Sequence, residues 1–366
     1  MTATSADGWS ALLRLFWHPV ARVVDVDPVR RVVAARVLST DLAIARLADG
    51  HWVAYADRCP HRSARLSVGA VDGDALQCAY HGWRYGADGA CVEIPSMPGA
   101  PIPSAACTPA FRAEERHGLV WVLLDDRLDP PIPPCPMADE PSLRALTPEP
   151  YTWPVGAPRR VENFVDLAHF AFVHDGSLGS RDEPVPPLPE IERVGGELSF
   201  RYDPPEVDTE ATAMFGASDY RVPMPLTVNI AFHMAGGVRR DLWMTASPVD
   251  LATTRCFWMM GRSDELDAAH DAEHLAFQQQ VLDEDEPVVC SQNPPEMDLT
   301  PGVEISVRTD KVSIAYRRWL GELLAAVGPV GPDGVAPNDG VAALRASLGL
   351  SLRSGVAAAP SVPQPS

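Results

Sequence analysis

The chain has 366 residues, 46% of them hydrophobic, and its 49 acidic against 30 basic side chains give a formal charge of −19. This charge disfavours a nucleic-acid-binding protein, because phosphate recognition needs a positive surface, and the hydrophobic content disfavours a disordered chain. The sequence contains no run of about 18 apolar residues, so no transmembrane helix is predicted. A chain with a sufficient core needs no disulfides, so its seven cysteines predict a reducing, cytoplasmic location.

The first third of the chain is predicted to be a small all-β domain over residues 1–128. Short apolar runs broken by Asp, Gly and Pro continue from Phe16 to about Leu124, a spacing typical of strands joined by tight turns. The candidate strands are residues 32–38, 42–47, 52–55 and 119–124, with turns at Gly50, Asp72-Gly73 and Asp88-Gly89.

A proline-rich segment separates this domain from the rest of the chain. Residues 129–150 contain eight prolines, which predicts a linker without regular structure. A second domain over residues 151–327 mixes strand-like runs at 190–260 with helices. The predicted helices are at about 161–174, 265–283 and 309–326. The remainder, 328–366, is rich in Gly, Pro, Ala and Ser and predicts a largely disordered tail with room for one short helix near 341–350.

A first group of candidate metal ligands lies in the β domain. Cys59-Pro60-His61 is followed after sixteen residues by Cys78-Ala79-Tyr80-His81, and each pair leaves a predicted strand for a turn. Two thiolates and two imidazoles suit either a tetrahedral zinc ion or a [2Fe–2S] cluster with mixed ligands. Zinc is the weaker interpretation, because the thiols of zinc fingers normally come as a close pair.

A second group lies in an otherwise apolar segment of the second domain. Asn163, Asp166, His169 and His174 are surrounded by Phe, Leu, Val and Ala, and buried polar groups are costly without partners. His169 and His174 would lie about 140° apart around a regular helix, so the helix must end or bulge between them if both bind one ion. Two imidazoles and one carboxylate form the facial arrangement of non-haem Fe(II) oxygenases.

These motifs resemble those of the Rieske non-haem iron oxygenases. Cys59-Pro-His61-Arg-Ser and Cys78-Ala-Tyr-His81-Gly-Trp resemble the two cluster-binding loops, and Asn163-x-x-Asp166-x-x-His169-x-x-x-x-His174 resembles the mononuclear-iron motif. The resemblance covers about 300 residues. It implies an α+β protein, with an all-β Rieske [2Fe–2S] domain followed by an antiparallel-sheet and helix (helix-grip-like) catalytic domain. The N-terminal segment could pack on the catalytic domain.

The resemblance also implies roles for the candidate ligands. Cys59, His61, Cys78 and His81 would bind the cluster, while His169 and His174 would bind one Fe(II) together with a carboxylate far downstream. Asp285 is the predicted third ligand, with Asp283 as the alternative; Cys290 stands where many relatives carry Glu.

The family pattern further implies a head-to-tail homotrimer. In this family the cluster and the catalytic iron of one chain lie too far apart for direct transfer. Carried over, Asp166 would join His81 of one subunit to His169 of the next, and Asn163 would belong to the same catalytic group.

We predict the terminal oxygenase of a multicomponent system that takes electrons from a separate reductase or ferredoxin. Asp310-Lys311-Val312-Ser313 and Arg317-Arg318 belong to a resemblance with the homotrimeric monooxygenases and demethylases. The predicted reaction is O₂-dependent hydroxylation or oxidative N- or O-demethylation of a small aromatic or heterocyclic molecule. A ring cis-dihydroxylating dioxygenase stays an alternative. An electron-transfer or zinc-stabilised binding protein without oxygenase activity is the alternative of another class.

Three further features have weaker interpretations. His270-Asp-Ala-Glu273-His274 matches a zinc-peptidase pattern, but its charged surroundings favour a solvated helix. Paired arginines could steer an anionic substrate, although they are more often a surface feature; they are Arg159-Arg160 and Arg239-Arg240. Segment 205–235 could shape a pocket, although core packing explains its large side chains equally well; these are Met214, Phe215, Tyr220, Met224 and Phe232.

Overall fold

The computed structural model describes residues 6–203, 216–264, 266–331 and 333–351. The chain divides into two compact units, an N-terminal unit of residues 14–132 and a C-terminal unit that joins residues 6–13 to residues 133–348. The helices are α1 (Ala6–Leu13), α2 (Ala157–Val165), α3 (Phe170–Val173), α4 (Asp271–Val289), α5 (Lys311–Val327) and α6 (Asn338–Ser347).

The N-terminal unit consists of two antiparallel sheets. Its strands are β1 (Trp17–Arg22), β2 (Val32–Val37), β3 (Thr40–Arg46), β4 (Trp52–Ala56), β5 (Ala70–Asp72), β6 (Ala75–Gln77), β7 (Arg84–Tyr85), β8 (Cys91–Glu93), β9 (Ala110–Arg116) and β10 (Leu119–Leu123). One sheet has the order β1-β10-β9-β4-β3-β2 and the other β5-β6-β7-β8. The four predicted strands are present as β2, β3, β4 and β10. The interior strand β10 is buried along its whole length, as its uninterrupted apolar sequence requires.

The C-terminal unit is built on one antiparallel sheet. Its strands are β11 (Arg144–Leu146), β12 (Tyr151–Trp153), β13 (Ile191–Val194), β14 (Glu197–Tyr202), β15 (Ser218–Pro223), β16 (Thr227–His233), β17 (Arg239–Pro248) and β18 (Thr254–Arg262). The sheet order is β11-β18-β17-β16-β15-β14-β13, and β12 also pairs with β18. Helix α2 contacts β16 and β17, and it also contacts α4 and α5. The predicted α+β class is confirmed, and α2 and α4 are the elements that carry the second candidate site.

The predicted linker is more regular than expected. Strand β11 pairs with β18 because residues 144–146 are free of proline and can complete the sheet edge. The arm before and after β11 is held by indole donors, since Trp243 Nε1 donates to the Pro134 carbonyl at 2.9 Å and Trp258 Nε1 to the Glu149 carbonyl at 3.0 Å. The absence of regular structure predicted for 129–150 is therefore wrong for β11.

Helices at both chain termini of the C-terminal unit pack on α5. Helix α6 packs on α5 with Val341 and Leu344 buried. The two helices approach so closely that a Cβ at Gly340 would lie 2.1 Å from the Val327 carbonyl oxygen, which only glycine avoids. The short helix predicted near 341–350 is thus present as α6, while residues 352–366 lie outside the described part. At the other terminus α1 contacts α5, so the first helix belongs to the second unit.

Candidate metal centres

Two tight loops of the N-terminal unit bring together two thiols and two imidazoles. Cys59 and His61 follow β4, and Cys78 and His81 lie between β6 and β7. Both loops are closed by backbone hydrogen bonds, from Cys59 N to the Ala64 carbonyl at 2.8 Å and, in the second loop, from Cys78 N to the Trp83 carbonyl at 2.8 Å. The His61 and His81 rings lie 4.5 Å apart between centroids.

The surroundings of these four side chains fit a cluster with mixed ligands. Both thiols are buried, and burial, together with the neighbouring Cys59 thiol, raises the pKa of Cys78. The His61 Nδ1 atom is buried and has no hydrogen-bond partner among the described residues. Trp83 stacks on the His61 ring at 4.5 Å and 6°. Thiolates that are costly to bury and an imidazole nitrogen without a partner are what a bound metal would satisfy.

The second site forms where α2 ends. The helix stops at Val165, Asp166 is extended (φ −76°, ψ 131°), and the short α3 starts at Phe170. The chain between the two histidines is the single turn α3, and the rings of His169 and His174 lie 5.1 Å apart between centroids. The helix end that their spacing requires between them is the end of α3 at Val173, whereas the break after Val165 lies before both histidines.

Helix α4 supplies a carboxylate to the same place. Asp285 Oδ1 lies 3.6 Å from His169 Nε2 and 3.3 Å from His174 Nε2. One potential ligand atom of each residue lies within 4.8 Å of the others, close enough to share one ion. Asp283, the alternative third ligand, is exposed and accepts a hydrogen bond from Gln279 Nε2 at 2.7 Å, on another face of α4. The structure therefore brings Asp285, and not Asp283, to the histidines.

A shell of polar groups orients these three side chains. His174 Nδ1 lies 2.7 Å from Glu284 Oε2, so its Nε2 faces Asp285. Asn163 Nδ2 donates to Asp285 Oδ1 at 3.1 Å. Burial lowers the pKa of His174, but Asp285 and Glu284 outweigh it and raise the pKa overall. A hydrogen-bond acceptor on the ring nitrogen that does not bind the metal fixes the ring orientation of a metal-binding histidine.

Asp166 lies at the outer side of this site. Its Oδ2 is 3.4 Å from His169 Nδ1, and its side chain is 29% exposed. Burial would raise the pKa of Asp166, but the neighbouring His169 imidazole and two backbone donors lower it overall. Asp166 is thus an ionised carboxylate that contacts a candidate ligand and still reaches the surface.

A pocket with mostly apolar walls opens from the three candidate ligands. It is lined by aromatic and aliphatic side chains, among them Phe164, Phe170, Tyr220, Phe232, Met260 and Leu282. Beside the candidate ligands, its polar side chains include Gln278, Arg240 and His274. Tyr220 and Phe232 therefore line the pocket as the sequence suggests. Met224 instead lies beside Gly196, to whose carbonyl its N–H donates at 2.7 Å.

Other residues singled out in the sequence have different positions. Met214 and Phe215 lie outside the described residues. Arg159 and Arg160 are buried, at 2% and 0% exposure, so a surface feature is the wrong interpretation of this pair. His270 precedes the first residue of α4, whereas His274 faces the pocket, so the two do not form the helical zinc-peptidase pair.

The second pair of arginines lies on β17. Arg239 pairs with Asp241 at 2.6 Å, and Arg240, which lines the pocket, pairs with Asp264 at 3.2 Å. Each of these two guanidinium charges is thus balanced by a nearby carboxylate.

Comparison with known proteins places this geometry in a family. Residues 16–108 match the Rieske [2Fe-2S] domain, and residues 154–326 match the vanillate O-demethylase oxygenase C-terminal domain. The chain is 41% identical to methylxanthine N1-demethylase NdmA of Pseudomonas putida over 321 residues, which cover 86% of this chain and 90% of that protein. The chain belongs to the Rieske non-haem iron oxygenases.

Further comparisons agree with this family. Methylxanthine N3-demethylase NdmB of Pseudomonas putida is 40% identical over 86% of this chain and 91% of that protein. A solved structure of NdmA with caffeine superposes with a TM-score of 0.84 at 38% identity, covering 96% of this chain and all of that one. Oxidoreductase NdmD of Pseudomonas putida matches over 128 residues at 39% identity, which is 35% of this chain and 21% of that protein.

The family confirms the predicted enzyme class and cofactors. The oxygenase uses one Rieske [2Fe–2S] cluster and one mononuclear non-haem iron, which removes the zinc-stabilised binding protein and the pure electron carrier from consideration. No helix in the described ranges is long and apolar enough to cross a bilayer.

Two side chains that approach the candidate ligands were not singled out in the sequence for this role. Glu284 was not considered, and Arg160 was treated only as half of an arginine pair. No local signal distinguishes them, because His174 and Ser177, the partners of Glu284, lie more than a hundred residues away in the chain.

Proposed function

We propose that this oxygenase removes an N-methyl group from a methylated xanthine or a closely related planar nitrogen heterocycle. The observation that carries the proposal is the identity of about 40% to two methylxanthine N-demethylases along nearly their whole length, combined with a mostly apolar pocket that reaches the candidate iron ligands. The aromatic side chains would stack on a flat ring, and the apolar walls would keep water away from the reacting methyl group.

The residues proposed to hold the two metal groups are those that the structure brings together. Cys59, Cys78, His61 and His81 would bind the cluster. His169, His174 and Asp285 would bind the iron. When bound, the iron supplies O₂ activation and the cluster supplies the electrons for it.

Gln278 is the proposed orienting residue for the heterocycle. It is buried, lines the pocket and lies seven residues before Asp285 on α4, which places it two helical turns, about 10.5 Å, from the candidate ligand. An amide can both donate to a ring carbonyl and accept from a ring N–H. A substrate bound this way would present its methyl group toward Asp285 and the histidines.

The proposed reaction converts one methyl group and one O₂ molecule. One oxygen atom enters a C–H bond of the N-methyl group, and the resulting N-hydroxymethyl compound loses formaldehyde to leave N–H. The other oxygen atom becomes water with two electrons and two protons. The electrons are proposed to come from a separate reductase, which the partial match to oxidoreductase NdmD supports.

A head-to-tail homotrimer is proposed for the assembly. Asp166 lies in a polar pocket whose rim includes the exposed apolar residues Val288 and Ile305, at 51% and 89% exposure. In the other unit the exposed His81 is next to Tyr80, which is 64% exposed. Exposed apolar residues around functional polar groups are typical of protein interfaces.

A cytoplasmic location is proposed as well, since all seven thiols are free.

The reaction is tested by turnover of the purified, iron-loaded enzyme with a surrogate reductase and NADH. N-methylated xanthines should yield formaldehyde and the demethylated ring, with one ¹⁸O atom from ¹⁸O₂ in the formaldehyde when exchange is suppressed by rapid trapping. Xanthine without methyl groups and a methoxy-substituted benzoate are the matched controls. Turnover of the methoxybenzoate, with none of any N-methylated heterocycle, would refute the proposed substrate class.

The assembly is tested by mixing two inactive variants. Cys78→Ser lacks the cluster and His169→Ala lacks the iron, so neither homotrimer should turn over. Co-expressed chains should recover activity if each site uses groups from two subunits. A sedimentation experiment showing a monomer, or no recovered activity in a verified mixed trimer, would contradict the head-to-tail arrangement.

A further inference from the structure

Arg160 is a buried cation beside the candidate iron carboxylate. It lies on α2 with 0% exposure, and its guanidinium carbon is 4.0 Å from the centre of the Phe164 ring and 4.4 Å from that of Trp153. A third ring, that of Tyr151, lies 5.6 Å away. Aromatic faces stabilise a desolvated guanidinium by cation–π attraction, so this cage holds the side chain in one position.

The polar neighbours of Arg160 are Tyr151, Asn163 and Asp285. Its Nε donates to Tyr151 Oη at 2.9 Å, and its Nη1 donates to Asn163 Oδ1. Nη1 also lies 3.8 Å from Asp285 Oδ2. The Nη2 atom is buried without a hydrogen-bond partner among the described residues.

The contact with Arg160 dictates how the Asn163 amide is oriented. A guanidinium has donors and no acceptor, so Asn163 must turn its Oδ1 toward Arg160. The Nδ2 group then faces Asp285 Oδ1, to which it donates at 3.1 Å. An ionised carboxylate only accepts hydrogen bonds, so both neighbours of Asn163 require the same orientation.

The two oxygens of Asp285 are thereby held differently. Oδ1 faces His169 Nε2 and His174 Nε2 and accepts from Asn163, whereas Oδ2 lies toward Arg160. Contacts on both oxygens restrict rotation of the carboxylate about its last bond. The carboxylate is thus fixed with one oxygen toward the two imidazoles.

We propose that Arg160 is a positioning residue of the iron site, which acts through Asn163 to hold Asp285 in the orientation that binds the metal. This inference rests on the proposed role of Asp285 as an iron ligand. It assigns a function to a buried residue that lines the pocket and is not itself one of the candidate iron ligands. Asp285 lies on α4 and Arg160 on α2, so the buried guanidinium gives the carboxylate a fixed partner on the helix that it faces.

The test measures iron binding and the geometry of the bound iron, not turnover alone. Protein that keeps its cluster is depleted of mononuclear iron with a chelator and titrated with Fe(II) under anaerobic conditions. The Fe(II) site is then treated with NO, and the EPR spectrum of the adduct is recorded with the cluster in its oxidised, EPR-silent state. The variants are Arg160→Met, Arg160→Lys, Asn163→Ala and the double variant Arg160→Met/Asn163→Ala.

The matched control is Arg159→Met. Arg159 is equally buried on the same helix, but it pairs with Glu304 at 2.6 Å and the Glu296 carbonyl at 3.0 Å and not with Asp285. It should lose stability while its Fe(II) affinity and EPR signal stay those of the unmodified enzyme.

The expected result is a 10–100-fold weaker Fe(II) affinity for Arg160→Met, with a broadened or shifted NO-adduct signal. Arg160→Lys should recover part of the affinity, because an ammonium keeps the charge and loses the planar fork. In the Asn163→Ala background, Arg160→Met should weaken the Fe(II) affinity by less than about a further twofold, since both residues act on the same carboxylate, that of Asp285.

Two results would overturn the proposal. One is an Arg160→Met enzyme with unchanged Fe(II) affinity and EPR signal; the other is a double variant whose loss equals the product of the single losses. If Arg160→Met does not fold, the same comparison is made with Arg160→Lys. The variant Asp285→Ala distinguishes failure of the ligand assignment from failure of the positioning role. Full Fe(II) binding by Asp285→Ala would refute the assignment of Asp285 as a ligand. If Asp285→Ala loses Fe(II) binding and Arg160→Met binds Fe(II) normally, only the positioning role is refuted.

Discussion

Removal of the Glu284 carboxylate should weaken iron binding although Glu284 is not a candidate ligand. Its Oε2 accepts from His174 Nδ1 at 2.7 Å and from Ser177 Oγ at 2.9 Å, which fixes both the ring and the carboxylate. With that contact in place His174 presents Nε2 to Asp285 at 3.3 Å. In Glu284→Ala the ring of His174 is free to rotate and either nitrogen can carry the proton.

The expected size of this effect follows from the contact and its exposure. A hydrogen bond that involves a charged group contributes about 1.5–3 kcal/mol, and the side chain of Glu284 is 26% exposed, so the lower half of that range applies. An effect of about 1.5–2 kcal/mol corresponds to a roughly 10–30-fold weaker Kd for Fe(II). Glu284→Gln keeps an acceptor oxygen and loses the charge, so a change of about threefold is expected.

The measurement is an anaerobic competition between the iron-depleted enzyme and a chromophoric Fe(II) chelator, with the cluster intact. Asp283→Asn is the matched control, since this neighbouring carboxylate is exposed and bonded to Gln279. It removes the same charge from the same helix and should change the Kd less than twofold. Equal Kd values for Glu284→Ala and Asp283→Asn would show that the contact with His174 has no part in iron binding.

Four further outcomes are expected. Cys78→Ser should abolish the visible absorption and acid-labile sulfide of the cluster, while the chelator assay still finds one Fe(II) site per chain. Asp166→Asn should keep both metal groups in a metal assay and lower kcat at least about 100-fold, and unchanged kcat would refute its proposed role between subunits. Arg317→Met leaves the buried carboxylate of Glu162 unpaired and should lower stability by about 2–3 kcal/mol, measured by urea unfolding of the apo-protein. Leu344→Ala removes a fully buried side chain from α6 and should cost about 2–4 kcal/mol, seen as a lower unfolding midpoint; an unchanged midpoint would mean that α6 adds nothing to the C-terminal unit.

The ligand motifs were predictable because each is local in sequence. A cysteine and a histidine two or three residues apart in a turn can point at one metal group whatever the rest of the fold does. Cys59 with His61, and Cys78 with His81, are such pairs. The five-residue step from His169 to His174 similarly required a break in the helix.

Errors arose where the decisive contacts are between distant parts of the chain. The short helix predicted near 341–350 is present as α6, but its packing on α5, which Gly340 allows, was not predicted. Composition cannot show this, because the partner surface is formed by another helix. The proline-rich arm likewise contains β11, since β18 provides the paired edge.

The sequence alone therefore predicted the composition class, the two cysteine–histidine pairs, the pair of neighbouring histidines and the need for a helix end between those two histidines, because these follow from side-chain chemistry and spacing within short segments. The tertiary structure decided that Asp285 and not Asp283 faces the histidines. It also decided that Arg160 is buried behind that carboxylate instead of lying on the surface. Both depend on the rotation of α4 and α2 about their axes, which is set by packing between helices and sheet and has no counterpart in the local sequence.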